Sequence, residues 1–148
     1  MDRVTTACAA CFAANAGDCS SFARAVAARL NVKLAGAAND IADTLRTGAN
    51  GWSKLPDGVA AAASARAGKL VLAGLRGDQQ ATPSEHGHVV VVVPGDLAHG
   101  AYPTGWWGSL GGTPGRGETL NWAWTEADRD HVAYAAHDIP APIAAGTA

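Results

Sequence analysis

Apolar residues recur every third or fourth position through the first half of the chain and every second position, or continuously, through the second. That change of period predicts helices followed by strands. Val4, Cys8 and Phe12 put one apolar stripe on a helix within MDRVTTACAACFAANAG. Past a loop at Asn15-Ala16-Gly17, the residues Phe22, Val26 and Leu30 recur at four-residue spacing, with Ala23 and Ala27 alongside. Asp18 stands where an N-cap belongs. Cys19 precedes Phe22 by three positions and Ala23 by four, so it shares the inward stripe. A further helix is predicted over Asn39 to Arg46, capped by Asn39 and stopped near Gly48. Another fits PDGVAAAASARAG, opened by Pro56 and Asp57 and closed by Gly68.

From Lys69 onward KLVLAGL reads as a strand and RGDQQATPSEHG as a mobile polar loop. HVVVVV, bounded by Gly87 and Pro94-Gly95, reads as a strand buried on both faces. A short strand is expected around Trp106 to Leu110, and TPGRGE as a turn. TLNWAWT would then set Leu120, Trp122 and Trp124 on one strand face, with Thr125 to Asp128 forming a capping box for a short helical turn. Val132, Tyr134 and Ala136 alternate in a last strand before a Pro/Ala/Gly tail, about 140–148, which is expected to be disordered. Helices first and meandering strands afterwards make an α+β domain. A length of 148 residues makes it a single domain, 1–148.

Composition narrows this picture. The hydrophobic share is 48%, but 34 of those residues are alanine. The bulky apolar residues are mainly 11 Val, 10 Leu, 5 Trp and 3 Ile, which suits a compact domain with alanine-rich helices better than a large sandwich. The net charge of −2 is scattered, and no basic cluster offers a footprint for nucleic acid or anionic lipid. No apolar run approaches membrane-spanning length. The three cysteines all fall within the first nineteen residues, a poor framework for disulfides. Cys8 and Cys11 form a CxxC that could be redox-active or half a zinc site. No second CxxC or HxxxH completes it, so core packing is preferred. EHGH, Glu85 to His88, is weak as a metal site for the same lack of further ligands. The N-terminus resembles a signal peptide only superficially, since it carries Asp2 and no leucine-rich stretch.

The chemistry concentrates at Cys19. A thiol in the first turn of a helix meets unpaired amides and the positive dipole end, which lower its pKa and can hold an oxyanion. Asp18 and Ser20 are expected to support it, and Ser21 to contact substrate. The base would be His88, emerging at the head of the valine-rich strand just after Gly87. The plain alternatives are a cysteine packed as a small hydrophobe and a surface histidine. His86 would share a strand face with His88. His88, however, is held by the valine run, and a base must stay within about 3 Å of its proton partner. Trp106 and Trp107 could offer flat rings to a sugar or peptide, with ordinary packing an equal alternative. His99, His131 and His137 read as surface residues.

DCSSF resembles the Asp-Cys-Ser nucleophile motif of NlpC-type cell-wall peptidases, which are papain-like amidases, and GHVVVV resembles their histidine strand. CSSFARAVAARLNV, AND, WSKLPDGVAAAASARAGKLVLAGLRG, GHVVVVVPG, YPTGWWGSLGG and WTEADRDHVAY run in the same order as in the first family of type VI secretion amidase effectors. The resemblance covers Gly17 to about Tyr134. It implies a papain-like NlpC-type fold, with N-terminal helices packed on a mostly antiparallel sheet, forming a single catalytic domain. It also implies a cysteine D,L-endopeptidase that cuts the γ-D-glutamyl–meso-diaminopimelate bond of peptidoglycan stems. Cys19 would be nucleophile and His88 base and acid, with no metal or organic cofactor. The protein would be a toxin made in the donor cytoplasm without a signal peptide. The type VI apparatus would deliver it to the periplasm of a Gram-negative target, and a cognate periplasmic immunity protein would plug the cleft.

YPTGWWGSL offers no Asp, Asn, Gln or His as a third catalytic group. A backbone carbonyl near Trp107, or a water, is therefore expected to orient His88. The family pattern has cysteines flanking the first tryptophan where this chain has Gly105 and Trp107. Two other functions stay open: an inactive wall- or partner-binding module on the same fold, and a papain-like acyltransferase or peptidase with another substrate.

Overall fold

A computed structural model describes residues 2–141. The tail expected to be disordered lies, beyond Ala141, outside the described residues. The helices are α1 (Arg3–Asn15), α2 (Cys19–Arg29), α3 (Ala38–Thr47) and α4 (Gly58–Arg66). The strands are β1 (Ser53–Leu55), β2 (Leu70–Leu75), β3 (His88–Ala98), β4 (Tyr102–Trp107), β5 (Gly115–Thr119) and β6 (Ala133–His137). They form one six-stranded sheet in the order β1-β6-β2-β3-β4-β5, with every pairing antiparallel. This is the expected α+β architecture, and it is consistent with a papain-like fold.

The valine run is continuous because both faces of β3 are covered. Val89, Val91 and Val93 join Leu70 and Leu72 against a core of Phe22, Val26, Ile41 and Leu45 from α2 and α3. Val90 and Val92 join Val71 and Ala73 against Ala61 and Ala65 of α4, together with Trp107, Leu120 and Trp124. Each such valine contributes roughly 1.5–3 kcal/mol by leaving water. Cys8 and Cys11 are free thiols packed in the first core, and burial raises the pKa of both. Helix ends follow the sequence where an aspartate caps: Asp2, Asp18 and Asp57 accept from the amides of Thr5, Ser20 and Ala60.

Several elements depart from expectation. The cap of α3 is Ala37, whose N–H donates to Asp40, while the side chain of Asn39 turns away to another task. β3 passes through Pro94-Gly95 to Ala98, because Pro94 falls where pairing with β4 shifts register and no ladder bond is lost. β4 ends at Trp107 rather than Leu110. The supposed turn TPGRGE contains edge strand β5, hidden by its glycines. TLNWAWT is not a strand but a 3-10 turn over Leu120–Trp122, which buries Leu120 and leaves Trp122 74% exposed. The three-residue β1 is too short for alternation to reveal. The 125–128 turn forms, with Asp128 N–H donating to the Thr125 carbonyl, but the Thr125 hydroxyl donates to the Asp128 carboxylate in place of the expected capping box.

Candidate active site

Asp18 organises the first turn of α2. Its carboxylate accepts from Ser20 N–H at 3.3 Å, Ser20 Oγ at 3.2 Å and Ser21 Oγ at 2.8 Å. Partial burial works against ionisation, yet these donations hold the carboxyl below its usual range. Cys19 follows as the first residue of the helix and is only 6% exposed, tucked beneath the head of β3. Its sulfur lies 4.0 Å from the Gly87 carbonyl oxygen, with the Val89 N–H also engaging it.

This placement corrects the expectation of a lowered thiol pKa. Burial raises it first. The amides of Val89, Ser20 and Cys19 pull the other way but do not prevail, and the Asp18 charge adds to the rise. The helix end acts as expected, and desolvation outweighs it.

His88 opens β3 opposite Leu75. Its ring makes edge contacts with Trp124 at 5.2 Å and Trp107 at 6.4 Å between centroids. Burial pushes its pKa down to about 4, so the imidazole is neutral at pH 7. Trp107 therefore meets His88 through its ring, and its own indole N–H donates to the Thr113 carbonyl at 3.3 Å. Cys19 and His88 line one cleft of about 480 Å³, together with Ser20, His86, Ser109 and Leu110. The sulfur's hydrogen-bond acceptor is the Gly87 carbonyl rather than the imidazole.

Two close approaches hold the walls of the cleft together. A Cβ at Gly108 would lie 2.5 Å from the Asn15 oxygen and 2.6 Å from that of Asp18. Only glycine lets the end of β4 sit against the turn before Cys19, where Ser109 N–H donates to the Ala16 carbonyl at 2.9 Å. A Cβ at Gly87 would meet the side-chain oxygen of Asn39 at 2.7 Å. That oxygen accepts from Gly77 N–H, and the Asn39 amide donates to the Glu85 carbonyl, both at 2.9 Å. Asn39 thus ties both ends of the loop leading into His88. Buried Asp128 secures its middle, accepting from Ala81 N–H at 2.7 Å and Thr125 Oγ1 at 3.1 Å. The loop expected to be mobile is tethered at three points.

Other candidates lie elsewhere. Ser21 is spent on Asp18 and on Arg24. Trp106 packs edge-on against Phe12 at 5.8 Å and beneath Arg116, on the helix-covered core, and lines neither cleft next to His88. Trp107 is 2% exposed, which removes it as an open platform. His86 is exposed on the wall of the Cys19 cleft. His137 is not free on the surface but stands edge-on to Trp52 at 5.1 Å. The roles that Asn39, Gly108 and Asp128 play here escaped the sequence reading because they depend on partners between 38 and 93 positions away in the chain.

A thiol at a helix end and a neutral imidazole at the head of a central antiparallel strand, on the walls of one cleft, are consistent with a papain-like fold. No protein-family profile matches the chain. It is, however, 37% identical over 129 residues to the peptidoglycan amidase Tse1 of Pseudomonas aeruginosa, an alignment spanning 84% of this chain and 78% of that protein. The chain belongs to the family of the peptidoglycan amidase Tse1.

Proposed function

We propose that this protein is a peptidoglycan amidase working as a cysteine D,L-endopeptidase on the γ-D-glutamyl–meso-diaminopimelate bond, with 1–148 as one catalytic domain. One observation carries it: in a chain 37% identical to a peptidoglycan amidase, the thiol at the head of α2 and the imidazole at the head of β3 share a cleft. The neutral His88 takes the Cys19 proton as the sulfur attacks the stem carbonyl. The Cys19 backbone N–H helps hold the oxyanion. The C–N bond breaks, the imidazolium returns its proton to the leaving amine, and water deprotonated by His88 hydrolyses the thioester. Both groups start uncharged, so proton transfer and attack proceed together. The resting thiol points to the Gly87 carbonyl, and the Cys–His hydrogen bond tightens on substrate binding, as catalytic hydrogen bonds commonly do. A backbone carbonyl near Trp107, or a water, orients the imidazole.

The biological setting is a toxin passed between bacteria by a type VI apparatus, acting in the target's periplasm and neutralised in the donor by a periplasmic immunity protein. Among the described residues no helix is long and apolar enough to cross a membrane. Digestion of purified muropeptides, read by mass spectrometry, tests the reaction. Products split between D-glutamate and diaminopimelate are expected. A cut at another bond would replace this specificity, and intact muropeptides would favour a binding module. Periplasmic expression should lyse cells while cytoplasmic expression is tolerated, and equal toxicity from both would contradict the wall-cutting role.

A further inference from the structure

A second cleft, of about 400 Å³, adjoins His88. His88 and Ser109 line both clefts, but Cys19 lines only the first. The second is formed by Gln80, Trp122, Trp124 and Thr125, with Asp128 beneath. Trp122, at 74% exposure, carries the most exposed large hydrophobic side chain among the described residues. Trp124 is 92% buried, and its indole N–H has no acceptor among the described residues. Both Asp128 oxygens are already engaged, by Ala81 N–H and Thr125 Oγ1.

We infer that this second cleft is the leaving-side subsite, taking the amine half of the cleaved stem. Its diamino acid packs on the exposed Trp122 ring, with the Trp124 ring as the neighbouring wall. The inference rests on the peptidase reading above and adds a direction to it. The group that protonates the leaving nitrogen must stand on the amine side of the broken bond, and that group is His88. The acyl half therefore lies over Cys19, Ser20 and Leu110, while the amine half runs past His88 into the tryptophan-lined cleft.

The test has two arms. In the first, the dipeptide meso-diaminopimelyl-D-alanine is titrated into the Cys19→Ala protein, with the backbone and tryptophan indole N–H resonances followed by NMR. Saturable shifts at Trp122 and Trp124 are expected, with affinity at least tenfold weaker in the added Trp122→Ala background. Absence of binding, or shifts confined to Ser20 and Leu110, would overturn the inference. In the second arm, kcat/KM for a full stem is divided by that for the same acyl half carrying a p-nitroanilide. The ratio should fall about tenfold in Trp122→Ala. An unchanged ratio would show a merely structural role and overturn the assignment. Should the wild type cleave neither substrate, the peptidase reading fails, and the titration still decides whether this cleft binds the dipeptide.

Discussion

At Cys19 the helix amides lower the thiol pKa, while burial and the Asp18 carboxylate raise it, and the net is a rise. Asp18 thus has opposed effects: it caps the helix and disfavours a thiolate beside it. Asp18→Asn separates them, since asparagine caps about as well but carries no charge. Alkylation of Cys19 by iodoacetamide at pH 7 should be several-fold faster in Asp18→Asn, with the melting temperature nearly unchanged. An equal or slower rate would show that the charge does not govern the thiol. The Asp-Cys pair and the helix start were legible in the sequence, because capping is a local property. The direction of the thiol shift was not, because it depends on β3 lying over the sulfur, 68 positions away.

The elements that carry the site were legible wherever an aspartate cap or an unbroken apolar run marks them, as in α2, α4 and the first half of β3. Reading failed in the glycine-rich stretch after Tyr102, where β5 has few side chains to alternate. It failed again in TLNWAWT, whose alternation is broken by a 3-10 turn. Gly108 is the functional consequence of that stretch. Gly108→Ala drives a Cβ against two carbonyl oxygens of the turn before Cys19, displacing the head of α2 relative to His88. Muropeptide cleavage should fall at least tenfold, with a stability loss of about 1–3 kcal/mol. At Gly17, where a Cβ meets nothing within 4 Å, the alanine variant should stay close to wild type in both. Equal behaviour of the two variants would remove Gly108 from the account.

Across the molecule, the central strands of the sheet are covered on both faces, and His88, half-buried at the head of β3, is desolvated where its ring packs on Trp107 and Trp124 of the second core, which is why it is neutral. Its folded pKa of about 4 lies below the ordinary value of 6.5, so the unfolded chain binds the extra proton between those limits. Stability from this residue is complete above pH 6.5 and declines as pH falls toward 4, by at most about 3 kcal/mol. The depressed carboxyls of Asp18, Asp43 and Asp138 act in a lower window, losing their contribution as pH falls below the ordinary 3.8. Urea unfolding at pH 7 and pH 4.5 should show a clear drop for the wild type and a smaller one for His88→Asn. Equal drops would mean that His88 is not held neutral by the fold.

The pairing of Cys19 with His88 is the claim on which the rest depends, and hydrolysis of purified sacculi by three variants tests it directly. Cys19→Ala and His88→Ala should each lose activity by orders of magnitude, while His86→Ala, altered only on the exposed wall of the same cleft, stays within a few-fold of wild type. A Cys19→Ala protein that keeps a tenth of the wild-type rate, or His86 and His88 variants with exchanged phenotypes, would contradict the account.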